Sequence, residues 1–133
     1  MDKINFKAIF IFIACAFAGG FLNSSTLSIG MRLFEYPEAF NFENPDWGLL
    51  EYKHFVVPFL AHALGTLLAA FLVTKFGIGA IKKQALGMGF FFLLGGIAAG
   101  IMIKSPMWYN AIDFSMAYFP FAFIGWKLGG SKI

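Results

Sequence analysis

The sequence predicts an all-α membrane protein: a bundle of four transmembrane helices running up-down-up-down, with one ordered outer loop between the first and second. Three observations carry this. The 133 residues are 59% hydrophobic and only 13% charged, with a mean hydropathy of +0.75, where a soluble domain carries about 25% charged residues. The apolar residues fall into four runs near the length needed to cross a bilayer, roughly 20 residues each. Apart from Asp113, the charges collect at the ends of those runs and between them. One domain, 1–133, is the natural division.

The first helix is expected over about 8–31. Its apolar run from Ala8 to Leu22 is interrupted by Asn23, Ser24, Ser25 and Thr26 and resumes from Leu27 to Met31. A cleaved signal peptide is the rival reading, with Lys3 and Lys7 as its basic region and Ala16-Phe17-Ala18 as a small-x-small site; a retained helix is the expectation. Residues 32–53 form the long polar segment. Pro37 and Pro45 discourage a continuous helix there, while Phe40, Phe42, Trp47, Leu49 and Leu50 are too apolar for a disordered tail. An ordered loop on the membrane surface, with Trp47 and Tyr52 at the headgroup level, follows.

The second helix, about 54–76, is the stretch HFVVPFLAHALGTLLAAFLVTKF, with Pro58 in or near its first turn and His62 inside an apolar run. Gly77-Ile78-Gly79 ends it, and Lys82-Lys83 lie in a tight connection. The third helix, about 84–103, has few polar side chains. Gly96 and Gly100 have GxxxG spacing and Gly95 and Ala99 repeat it, a small-residue face that lets a neighbouring helix approach. Lys104-Ser105-Pro106 turn the chain into the fourth helix, about 107–127. There Pro120 deprives the Met116 carbonyl of its helical donor and predicts a kink.

Orientation follows from the cations. Lys3, Lys7, Lys75, Lys82, Lys83, Lys127 and Lys132 fall on one side and Arg32, Lys53 and Lys104 on the other. The positive-inside rule then puts both termini in the cytoplasm and loop 32–53 outside. The net charge of +3 does not imply nucleic acid, because the basic residues sit at helix ends and form no stripe. The lone Cys15 excludes an internal disulfide or dithiol pair and reads as a small packing residue.

Depth singles out a polar set. At 1.5 Å per residue, His62 and Asn23 lie roughly 12 Å, and Asp113 roughly 9 Å, below the outer ends of their helices. Three helices therefore offer their most polar residue at one level, where the third offers Gly95, Gly96, Ala99 and Gly100. Glu51, His54, Pro58 and His62 fall near one helical face and Thr66 continues it, a polar track from the loop inward. A membrane-buried Asp must face the bundle interior and find a partner; His62, Asn23 and Asn110 are the nearest, with Lys104 or Lys53 closer to the surface. Each residue has an ordinary structural reading: His62 and Asn23 as interhelical hydrogen-bonding groups, Asp113 as an acid favoured near a helix start, His54 as an interfacial residue. Glu51-x-x-His54 has the spacing of a di-iron helix motif, but that site needs a second such pair and further carboxylates, and the chain has two histidines. No metal site or cofactor is expected.

Several patterns together resemble a group of small, four-span bacterial integral membrane proteins with no assigned activity: Tyr36-Pro37, Ala61-His62-Ala63-Leu64-Gly65-Thr66, Pro106-Met107-Trp108-Tyr109, and Pro120-Phe121-Ala122-Phe123-Ile124-Gly125 with Lys127-Leu128. The resemblance implies the bacterial inner membrane and supplies no site residues. Small multidrug exporters are similar in size, but their first-helix glutamate has no counterpart between Ala8 and Met31. Fluoride channels are similar in length, with Gly65-Thr66-Leu67 like their second helix, but the asparagine expected soon after is missing. Three functions fit these readings. The first is a lipid- or amphiphile-binding or accessory membrane protein, alone or as part of a homo-oligomer or larger complex. The second is an oligomeric proton-coupled transporter or channel subunit using His62 and Asp113. The third is a membrane-embedded enzyme with His62 as acid or base, which lacks an obvious nucleophile.

Overall fold

The computed structural model describes residues 4–133; Lys3 lies outside the described residues. Among them the chain is all-α with no strand. The helices are α1 (Phe6–Leu33), α2 (Tyr52–Phe76), α3 (Ile81–Ile103), α4 (Met107–Met116) and α5 (Phe119–Leu128), and a single 3-10 turn (Trp47–Leu49) lies in the α1–α2 loop. Helices α1, α2 and α3 are each long and apolar enough to cross a membrane.

The fourth expected helix differs from its sequence reading. It is broken, not merely kinked: α4 and α5 are ten residues each, separated at Ala117 and Tyr118. Pro120 stands at the start of α5, where its missing N–H is harmless. Together the pair covers residues 107–128, about 33 Å at 1.5 Å per residue. Two boundaries also move. Pro58 lies in the second turn of α2, and Lys82 and Lys83 belong to the first turn of α3.

Helix α2 is the central element. It packs against α1, α3 and α5, whereas α1 packs mainly on α2. The α1–α2 contact is close because Gly19 and Gly65 face each other: a Cβ at Gly65 would stand 2.7 Å from the Gly19 carbonyl oxygen. Small residues let the backbones meet so closely. One core cluster joins Cys15, Ala16, Ala69, Ala70, Val73, Ala85, Met88, Ala122 and Trp126. It fills the end of the bundle that carries Lys75, Lys82, Lys127 and Lys132. There the Lys82 and Lys127 ammonium groups lie 4.8 and 4.9 Å from the Trp126 ring centre, and Lys132 Nζ donates to the Lys75 carbonyl at 3.1 Å.

At the opposite end the loop is folded around aromatic rings. Tyr36 packs on Phe40, Phe42 and His54 with centroids 5.1–5.4 Å away, and Trp47 bridges Phe40 to Phe55. Two polar ties hold it down. Trp47 Nε1 donates to the Lys104 carbonyl at 3.0 Å, and His54 Nε2 donates to the Glu35 carbonyl at 3.1 Å. Burial among these rings raises the pKa of the Tyr36 hydroxyl above the ordinary tyrosine value, so it stays protonated near neutral pH. Tyr52 is exposed.

Candidate functional site

Helices α2 and α4 bring His62 and Asp113 together. His62 Nδ1 lies 2.9 Å from Asp113 Oδ1 and 3.0 Å from Oδ2. The Asp113 carboxyl is buried, 1% exposed. Two more donors converge on it: the Tyr109 hydroxyl donates to Oδ1 at 3.3 Å and the Tyr118 hydroxyl to Oδ2 at 3.0 Å. A carboxylate accepts only, so His62 Nδ1 carries the hydrogen. A buried acid held by three donors meets the condition that buried charge be paired and hydrogen-bonded.

Sequence reasoning missed both tyrosines. Tyr109 stands one turn before Asp113, an i, i+4 pair on one face of α4, and spacing alone could have found it. Tyr118 is five residues beyond, off that face in a continuous helix. The break at Ala117–Tyr118 folds its ring back into the bundle, where it is fully buried and stacks on the His62 ring at 5.7 Å. Its hydroxyl occupies the space beside Gly96, where an added Cβ would overlap Tyr118 Oη. Gly96 is thus the notch that admits Tyr118. Gly100, one turn along α3, does the same for Asn110 and Phe114, whose nearest atoms would stand 3.2 and 3.1 Å from a Cβ there.

His62 and Asp113 lie on the wall of a cavity of about 900 Å³ between α1, α2, α3 and α4. That is within the range of small-molecule sites, about 300–1,000 Å³. Tyr36, Phe42 and Trp47 of the loop line its mouth, and Tyr118 closes its inner end beside the dyad. The lining is mostly apolar. On the α3 side, Phe91, Leu94, Gly95 and Ile103 line the cavity and are also exposed, so the cavity is open laterally between α3 and α1. Across that gap stand Leu27 and Met31 of α1.

Of the other singled-out residues, Asn23, His54 and Asn110 line this cavity. Asn23 Oδ1 and Asn110 Oδ1 are buried and have no hydrogen-bond partner in the protein among the described residues. Neither bonds Asp113. Asn110 Nδ2 donates to the Ser105 carbonyl at 3.3 Å.

Four expectations are corrected. Thr66 is fully buried and does not line the cavity; its hydroxyl donates to the His62 carbonyl at 2.8 Å. Glu51 is exposed and away from the cavity, and its spacing to His54 serves the start of α2: the Glu51 N–H donates to His54 Nδ1 at 3.0 Å in a capping-box arrangement. Both ring nitrogens of His54 are therefore occupied by backbone groups. Lys53 and Lys104 make no contact with Asp113; Lys53 lies 3.5 Å from Glu51. Gly95 is no helix contact, since nothing stands within 4 Å of a Cβ there, whereas Ala99 shares its open side on the cavity wall.

The chain matches no protein-family model, no curated protein and no solved structure.

Proposed function

We propose that the chain is a four-span protein of the bacterial inner membrane that binds a lipid or other single amphiphile from the outer leaflet. Helices α1, α2 and α3 are three of the spans and the α4–α5 pair is the fourth. Both termini are cytoplasmic, beside the lysine-rich end, and the aromatic loop is external. The amphiphile's polar end lies at His62 and its tail leaves between α1 and α3. The observation that carries this reading is the cavity: apolar walls, a side open between two helices, and one polar cluster at its inner end. A bilayer supplies molecules of that shape. Native mass spectrometry from mild detergent tests it: a copurified amphiphile bound at a fixed ratio to protein is expected, and its consistent absence contradicts the reading.

The His62–Asp113 contact favours one second reading, proton handling in an oligomeric transporter. Against it stands the packing toward the lysine-rich end, where Ala69, Ala70, Val73, Met88 and Ala122 are buried and Thr66 and Thr74 spend their hydroxyls on their own helix. Proton flux into liposomes that vanishes in His62→Ala would support the transporter.

A further inference from the structure

His54, in the first turn of α2 and only 5% exposed, joins the outer loop to the helix through both ring nitrogens. Nε2 faces the Glu35 carbonyl at 3.1 Å, and Nδ1 faces the Glu51 N–H at 3.0 Å. A carbonyl only accepts and a backbone N–H only donates. The two partners therefore assign the ring: Nε2 carries the hydrogen, Nδ1 presents a lone pair, and the imidazole is neutral. A second ring proton would fall on Nδ1 and stand against the Glu51 N–H, donor against donor. Turning the ring to relieve that clash breaks the Glu35 bond as well, because both nitrogens belong to one rigid plane.

Among the described residues no carboxylate bonds the ring. Tyr36 of the loop packs on its face at 5.1 Å, and Glu35, which supplies the carbonyl, is exposed. Glu51 and Lys53, beside it on α2, are exposed and lie 3.5 Å from each other. Arg32 at the end of α1 and Lys104 after α3 are exposed too. Tyr109, Asp113 and His62 line the same cavity, where the last two pair with each other. The tied ring thus holds one proton, whereas a ring free in water takes a second at about pH 6.5. By linkage, acid favours the free ring. Tyr36, Phe42 and Trp47 of the loop line the cavity mouth, and Tyr36 rides on His54. We propose that His54 is an acid-sensitive latch: neutral, it ties the loop over the mouth, and doubly protonated, it releases the loop and opens the mouth. The proposal goes beyond the amphiphile reading and does not rest on it.

Amide exchange of the full chain in one mild detergent, at pH 8 and at pH 5 and normalised to intrinsic rates, reads the latch. One group that titrates at about pH 6.5 only when released supplies up to about thirtyfold at pH 5. Wild-type protection across the Tyr36–Leu50 segment should therefore fall by about tenfold or more relative to α3. His54→Gln carries an amide that accepts from the Glu51 N–H and donates to the Glu35 carbonyl without titrating, a normal capping-box residue. Its loop should stay protected at both pH values, and that of His54→Phe should be loose at both. A wild-type loop equally protected at pH 8 and pH 5 overturns the proposal, as does an equal fall in wild type and His54→Gln. Where glutamine fails to restore protection at pH 8, the ring itself decides. Nitrogen-15 spectra of histidine-labelled wild type, with His62→Gln to tell the two rings apart, should show His54 passing from the Nε2–H form to the doubly protonated form as protection is lost. A His54 ring that stays neutral while protection falls overturns the proposal.

Discussion

Tyr118 and Gly96 share one space: the tyrosine hydroxyl that donates to Asp113 lies where a side chain at position 96 would begin. The broken fourth helix, the glycine on α3 and the buried acid on α4 form a single arrangement, and each is explained by the other two. The neighbouring Gly95 faces the open cavity. Two adjacent glycines in one helix should therefore respond oppositely to the same change.

Gly96→Ala should displace Tyr118 and destabilise the protein by about 1–3 kcal/mol, the usual cost of overpacking. Gly95→Ala meets no neighbour and should be neutral or stabilising by up to about 1 kcal/mol, from the better helix propensity of alanine. Thermal unfolding in a fixed detergent reads both. Equal melting shifts would mean that the notch is misassigned.

Asp113→Asn replaces an acceptor of three hydrogen bonds with a group that must turn an amide N–H₂ toward one of its donors. A loss of about 3 kcal/mol is expected, in line with breaking a buried pair from one side. His62→Phe preserves the stacking on Tyr118 and removes only one of the three donors, so its cost should be smaller. Because the residues touch, the double variant should lose less than the two single losses combined. Strict additivity in a double-mutant cycle would show that the contact carries no energy.

The loop should loosen when either tie is cut. Trp47→Phe keeps the ring packing and loses the hydrogen bond to the Lys104 carbonyl, an expected cost of about 0.5–1.5 kcal/mol. His54→Phe frees the Glu35 carbonyl and the Glu51 N–H together. Hydrogen exchange should accelerate across the Tyr36–Leu50 segment in both variants and hardly change in α3. Unchanged loop exchange would place the ordering in the aromatic cluster alone.

Much of this architecture is legible in residue order, and the parts that are not have physical causes. Apolar runs of spanning length mark α1, α2 and α3, because a backbone in hydrocarbon has to satisfy its own hydrogen bonds. Counting from helix ends brings His62 and Asp113 to one height, since the rise per residue is fixed. Rotation about each helix axis is not fixed by counting. Thr66, placed on the His62 face by spacing, turns its hydroxyl onto its own backbone, and Gly95 and Gly96 part company although each belongs to a small-x3-small pair. The Pro120 signal predicts a distortion but not its size, and only a full break lets Tyr118 reach back to Asp113. Glu51 and His54 show that one spacing can serve two purposes: at a helix start, the same three-residue step closes a capping box. Asn23 and Asn110 reach the cavity wall without a hydrogen bond to Asp113, whose acceptor sites are taken by His62, Tyr109 and Tyr118.

The central claim is that the space beside His62 and Asp113 is a binding site for one amphiphile. Native mass spectrometry of the wild-type chain and of Gly95→Phe, purified side by side in the same mild detergent, tests it most directly. The account predicts an amphiphile adduct at a fixed ratio on the wild-type protein, lost in a Gly95→Phe variant whose melting temperature is unchanged or higher. An adduct retained in that variant, or none on either protein, would contradict it.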